Sequence, residues 1–254
     1  MDLPVNHFKH AIAAGQPQIG LWCSFPTHHT VEVLCRSGFA WLLLDMEHSP
    51  NDMGTLHTQL MATAGGTATP IVRAPWNDMV MVKRCLDVGA QTLLLPYVQT
   101  AQEATNAVAY TRFPPEGLRG VASSTRAAGY GRIKNYLNLA QKEICVLVQA
   151  ETKKSLDNLE AICNVDGIDG VFIGPNDLAA DLGHRGDIPH PDVQRAITDA
   201  IKRILACGKA PGILVGEADG QRMLDLGALF VAVGADAGLL RIAADALVAK
   251  FKTA

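Results

Sequence analysis

The sequence predicts an α/β fold in which eight parallel strands alternate with helices and close into a (β/α)8 TIM barrel. Three observations predict it. Short apolar runs rich in Val, Ile and Leu recur along the chain, the pattern of strands covered on both faces. Helix-length segments separate nearly all of them. The length, 254 residues, is close to the roughly 250 of one such barrel. An open doubly wound sheet is the alternative, but it calls for a G-x-G-x-x-G turn after an early strand, and none is present.

Each element has its own signal. Pro4–Ala14 is a short helix outside the barrel or plugging its base. Gln18–Phe25 (QIGLWCSF) is the first strand, and His28–Ser37 a helix closed by Gly38. Ala40–Asp45 (AWLLLD) is the second strand and runs straight into MEHSPND; Asp52–Ala62 is the helix that follows. Pro70–Arg73 (PIVR) is the third strand, and Asp78–Val88 a helix stopped by Gly89. Thr92–Pro96 (TLLLP) is the fourth strand and Ala101–Tyr110 its helix. Arg112–Arg132 then reads as a long Gly- and Pro-rich loop carrying Arg119, Arg126 and Arg132; a loop of that length is usually functional or disordered. Ile133–Lys142 is helical. ICVLVQA and GVFIG are the fifth and sixth strands, joined by the amphipathic helix Lys153–Asn164. His190–Cys207 is a long helix entered through a GHRGDIPHP loop. Ala210–Val215 and Leu229–Gly234 are the last strands, followed by Asp219–Leu226 and Ala237–Phe251 as helices.

Composition narrows the function. Apolar residues make up 48% of the chain, enough for one large core, and a single domain over 1–254 is expected. A net charge of −3 leaves no basic footprint for nucleic acid or an anionic membrane. The six Cys are scattered without a C-x-x-C pair, as reduced core thiols of a cytoplasmic protein are. The N-terminus shows no signal-type apolar stretch, and no run approaches membrane-spanning length.

In parallel barrels, chemistry gathers at the C-terminal lip of the strands. Reading off those ends gives Asp45, Glu47 and His48; Arg73; Gln149 and Glu151; Asn176 and Asp177. Taken singly, each has an ordinary structural reading: a helix cap, a solvated charge, a surface histidine, an ion-pair partner. Their joint placement on one rim points to a site. Glu151 and Asp177 end neighbouring strands, and two carboxylates with no Cys and no His beside them suit a hard cation such as Mg²⁺ or Mn²⁺. Such an ion has free positions for the carboxylate and keto oxygens of a 2-oxo acid, and it acts as a Lewis acid toward a developing enolate. A nearby Arg adds hydrogen bonds to the same oxyanion, and a His moves the proton. Asp87 sits in the last turn of its predicted helix, where the dipole disfavours a carboxylate, so a cationic partner such as a His is expected.

The segments WLLLDMEHSPND, PIVRAPWND, LDVGAQTLLLPYVQ, RFPPEGLRGVASS, VLVQAET and GIDGVFIGPNDLAADLG closely resemble the HpcH/HpaI family of metal-dependent, class II pyruvate aldolases, from about Gly20 to Phe251. The resemblance implies reversible cleavage of 4-hydroxy-2-oxo acids, such as 4-hydroxy-2-oxoheptanedioate, to pyruvate and an aldehyde. It implies Glu151 and Asp177 as ligands of Mg²⁺, Mn²⁺ or Co²⁺, His48 as proton acceptor, Arg73 as transition-state stabiliser and Asp87 as the group that raises the basicity of His48. Gln149 and Asn176 would contact substrate, and Asp45 and Glu47 would lie in the outer shell of the metal. Met46 stands where the family commonly has a small residue, which would narrow the pocket. A hexamer, a trimer of dimers with the last helix packed on or exchanged with a neighbour, is also implied. If a dioate is the substrate, its second carboxylate needs a cation, and Arg126 in the long loop is the most central candidate.

Four other functions can be weighed against this one. A Schiff-base lyase needs a Lys within a strand, and Lys153, Lys154 and Lys209 all lie outside one. A CoA-ester lyase needs a basic patch, which only the stretch from Arg119 to Arg132 offers. A sugar-derived 2-keto-3-deoxy acid would be cleaved by the same machinery. A barrel kept only for binding should have lost one of His48, Arg73, Glu151 or Asp177, and all four are present.

Overall fold

The structure is a computed structural model and describes residues 1–252. Its eight strands are β1 (Gln18–Cys23), β2 (Trp41–Asp45), β3 (Thr69–Arg73), β4 (Thr92–Leu95), β5 (Cys145–Ala150), β6 (Gly170–Ile173), β7 (Ala210–Leu214) and β8 (Phe230–Ala235). They pair in sequence order, and β8 closes on β1. Every pairing is parallel, so all eight strands end on one rim.

Two apolar layers hold the barrel. Inside lie Trp41, Leu43, Ile71, Leu147, Phe172 and Phe230, with Phe8 and Ile12 of α1 (His7–Ala13) packed against them. Phe8 meets Phe230 edge-on at 5.7 Å between centroids, so α1 plugs the base. Large and small residues alternate here: a Cβ on Gly20 would fall 2.1 Å from the Trp41 ring, and one on Gly212 equally close to Phe230. Truncating a ring such as Phe8 would cost about 3–5 kcal/mol through the cavity left behind. Outside the barrel, Leu42, Leu44, Val72, Leu93, Val148 and Val171 face the helices, which is why whole strands read as apolar runs.

The helices are α2 (His28–Leu34), α3 (Met53–Thr63), α4 (Met79–Asp87), α5 (Ala101–Thr111), α6 (Tyr136–Glu143), α7 (Lys153–Asp157), α8 (Leu159–Cys163), α9 (Pro175–Asp181), α10 (Pro191–Ala206), α11 (Glu217–Asp225) and α12 (Asp236–Ala249). Two differ from expectation. The helix expected over Lys153–Asn164 breaks at Asn158, whose side-chain Nδ2 donates both to Lys154 O at 2.9 Å and to Gln99 O at 3.0 Å. α9 was not foreseen; Pro175 starts it directly after β6. The long loop folds back on α5, with Leu118 N donating to Ala109 O at 2.7 Å, and ends in a 3₁₀ turn over Arg126–Gly131. Among the described residues no helix is long and apolar enough to cross a membrane.

Candidate active site at the C-terminal rim

Asp45 and Arg73 are register partners at the ends of β2 and β3. Their side chains therefore leave the sheet side by side. Arg73 donates from Nε to Asp45 Oδ1 at 2.8 Å and from Nη2 to Oδ2 at 2.6 Å, a bidentate fork. Trp22 Nε1 donates to the same Oδ2 at 3.1 Å, and its ring lies 5.0 Å from the guanidinium carbon. Burial alone would raise the Asp45 pKa. The bonds and charge of Arg73, with the Glu47 amide and the Trp22 indole, outweigh it and hold the carboxyl below its ordinary value. The third guanidinium nitrogen, Nη1, stands 2.8 Å from Glu47 Oε2. That contact is an ion pair without hydrogen-bond alignment, so Oε2 is buried with no donor.

Gln149 and Glu151 sit two residues apart at the end of β5 and face the same side. Glu151 is buried. Its Oε1 accepts from Tyr97 N at 2.8 Å, and its Oε2 accepts from Gln149 Nε2. Burial, then the negative charges of Asp177 and Glu47, push the Glu151 carboxyl up to about 7. Burial likewise raises Glu47, with Asp45 and Asp177 adding to the rise against Arg73 and His48. Asp177 comes from the first turn of α9, next to Asn176. Gly174 permits this approach: a Cβ there would lie 2.6 Å from Glu151 Oε2 and 2.9 Å from Gln149 Nε2.

These elements enclose a cavity of about 110 Å³ lined by Trp22, His48, Arg73, Gln149, Asn176 and Asp177 among others. His48 is exposed, and Gln149 Oε1 is buried with no partner. Crowded carboxylates, one pushed to about 7, beside the unpartnered Gln149 Oε1 fit a hard cation with oxygen ligands. Glu151 and Asp177 are the groups that would hold it. Trp22, Tyr97 and Gly174 escaped the sequence reading. An indole at the end of β1 and a Gly between strand and helix were visible signals for the first and last; nothing marked Tyr97.

Three expected residues lie elsewhere. Asp87 does not meet His48 within the chain. It ends α4, which runs back to the start of β4, and it accepts from Arg119 Nη2 at 2.7 Å. Its cationic partner is thus an arginine, and a contact with His48 would have to join two copies of the chain. Arg126 is also away from the rim. It donates to Val88 O at 2.8 Å and Leu60 O at 3.2 Å, the backbone at the ends of α4 and α3, and cannot receive the tail of a substrate in the same chain's cavity. Met46 packs into the outer core and does not line the cavity, so it does not narrow it.

A closed parallel barrel with an arginine fork, a histidine and crowded carboxylates on its C-terminal rim defines a barrel lyase. Residues 18–243 match the model of the HpcH/HpaI aldolase/citrate lyase family, and the chain belongs to that family. It is an aldolase, a carbon–carbon lyase. The chain is 56% identical over 248 residues to the 4-hydroxy-2-oxo-heptane-1,7-dioate aldolase of Salmonella paratyphi A, covering 97% of this chain and 94% of that one. The same figures hold for the enzyme of that name from Salmonella typhimurium. An HpcH/HpaI aldolase/citrate lyase family protein from Burkholderia cenocepacia superposes with a TM-score of 0.94 at 39% identity, covering 98% of this chain and all of that one. An HpcH/HpaI aldolase from Desulfitobacterium hafniense gives 0.90 at 25% identity, covering 97% and 96%.

Proposed function

We propose that this aldolase cleaves and forms 4-hydroxy-2-oxo acids, with 4-hydroxy-2-oxoheptanedioate, giving pyruvate and succinate semialdehyde, as the leading substrate. One observation carries the reading: His48, Arg73, Gln149, Asn176 and Asp177 line one small cavity beside the buried Glu151. The substrate name comes from relatives 56% identical to the chain.

In this reading His48, at the open side of the cavity, takes the C4 hydroxyl proton as the C3–C4 bond breaks. The bonding electrons pass to the pyruvate half, and negative charge grows on its keto oxygen. Arg73, fixed by Asp45, directs its remaining N–H groups toward that charge and needs no reorganisation to do so. Gln149 and Asn176 orient the 2-oxo acid. A divalent ion, Mg²⁺, Mn²⁺ or Co²⁺, held by Glu151 and Asp177 supplies Lewis-acid polarisation of the 2-oxo acid when bound. Asp45 and Glu47 act behind it, Asp45 through Arg73.

Of the arginines that a CoA ester would need, Arg119 is taken up by Asp87 and Arg126 by backbone carbonyls, which leaves only the exposed Arg132. Lys153 and Lys154 are exposed on α7, and Lys209 Nζ donates to Ile168 O at 2.8 Å before β7 begins, so none of the three lines the rim cavity where a Schiff base would form. The reading also includes a hexamer of barrels with α12 exchanged or packed between neighbours. Leu239, Leu240, Ile242, Leu247 and Val248 of that helix are exposed, an apolar face that a second copy would cover. A cytoplasmic location belongs to the same reading, supported by free cysteines at all six positions, five of them buried.

The deciding experiment is a panel of 4-hydroxy-2-oxo acids, dioate, neutral-tailed and sugar-derived, assayed for pyruvate release with and without chelator. Chelator-sensitive release, fastest from the dioate, is expected. Full activity in metal-free buffer would overturn the metal reading, and a preference for a polyhydroxylated acid would move the substrate to the 2-keto-3-deoxy class.

A further inference from the structure

Tyr97 follows Pro96 at the end of β4, and its backbone is left-handed, with φ of 56°. That region is uncommon for a residue with a Cβ and carries a steric cost. The conformation has one visible product: the Tyr97 N–H points at Glu151 Oε1, 2.8 Å away. The next residue, Val98, lies beyond β4 but donates its N–H to Gln149 O of β5 at 3.1 Å, so the turn is pinned on its far side. On its near side the tyrosine ring stacks on Trp76, with centroids 5.6 Å apart and planes at 30°. Both rings are exposed, so apolar burial alone does not explain the stack. Trp76 lies three residues beyond Arg73 on the β3–α4 connection, which Asn77 ties to Glu103 O at 3.0 Å.

We infer that Tyr97 and Trp76 are positioning residues for Glu151: the ring stack holds Tyr97 left-handed, and its amide thereby fixes the Glu151 carboxylate in the orientation that binds the divalent ion. The inference rests on the reading of Glu151 as a metal ligand. One carboxylate oxygen of Glu151 answers to the Tyr97 amide and the other to Gln149, so neither rotates freely. If the stack is lost, the left-handed turn relaxes toward ordinary backbone and the amide swings away.

The test is Mn²⁺ binding by calorimetry on the whole protein, with thermal unfolding followed in parallel. Trp76→Ala and Tyr97→Ala should each weaken Mn²⁺ binding by about tenfold, the loss expected when one hydrogen bond to a charged group goes. Trp76→Phe and Tyr97→Phe keep a ring and should restore it. Tyr97→Gly should bind better than Tyr97→Ala, since glycine occupies positive φ without a Cβ penalty. Melting temperatures of the alanine variants should stay near wild type because both side chains are exposed. Glu151→Ala is the control and should abolish binding. Wild-type affinity in both alanine variants, with binding lost in Glu151→Ala, would overturn the positioning role alone. Binding that survives Glu151→Ala would overturn the ligand assignment, and the inference with it.

Discussion

Arg73 and Asp45 are tied by two bonds of 2.8 and 2.6 Å, and both side chains are buried at the ends of adjacent strands. The pair fixes the plane of the guanidinium before any substrate arrives. Lysine in place of Arg73 keeps the charge but not the fork. Arg73→Lys should lower kcat by roughly 10²-fold or more while Mn²⁺ affinity changes little. It should also destabilise the fold, by somewhat less than the ~3–5 kcal/mol of a buried pair broken outright. Stopped assays and urea unfolding measure the two effects; near-normal turnover would make Arg73 a purely structural residue.

Glu151, pushed up to about 7 from an ordinary 4.5, binds its proton more tightly folded than unfolded. Between those values the ion-free folded state holds a proton that the unfolded chain has released. Stability therefore falls as pH rises through that window, by an amount on the order of 3 kcal/mol. Unfolding in chelator across it should show the decline, and Glu151→Gln should flatten it. Added Mn²⁺ should reverse the trend, because the ion binds the carboxylate form. An equal slope in Glu151→Gln would assign the decline to other groups.

Gly174 faces Glu151 and Gln149 so closely that a methyl group would sit 2.6 Å from a carboxylate oxygen. Gly174→Ala should displace both side chains. Misplacement on the scale of 1 Å costs about 10²-fold in rate, and Mn²⁺ affinity should fall with it. A variant that folds, binds Mn²⁺ and turns over normally would show that Glu151 has room to move.

Arg126 caps two backbone carbonyls on the face opposite the cavity. Arg126→Ala should cost about 1–2 kcal/mol in urea unfolding. The ratio of kcat/KM for a dioate over a neutral-tailed substrate should be unchanged. A selective loss on the dioate would return Arg126 to substrate recognition, across a contact between chains.

The barrel was legible because its strands are buried on both faces, so β2 reads WLLLD and β5 CVLVQA without interruption. Strand ends then named half of the cavity lining, His48, Arg73, Gln149, Asn176 and Asp177, since a parallel barrel sends them to one rim. What failed depended on where loops travel. The expected contacts of Asp87 with His48 and of Arg126 with substrate both require the rim, yet the chain carries both residues to the other end, where Arg119 and the Val88 carbonyl meet them. α9 was hidden because seven residues between Gly174 and Leu182 give too short a period to read. Tyr97 acts through its backbone amide, which no residue code records.

The indole of Trp22 is bonded to Asp45 and lies against Arg73 at the wall of the cavity. The chain has only two other tryptophans, one sealed in the barrel floor and one stacked on the rim. The site thus carries its own optical reporter. Any ligand that draws on the Arg73 charge changes the field at that indole, so occupancy can be followed as a shift in ultraviolet emission without a dye or a coupled assay.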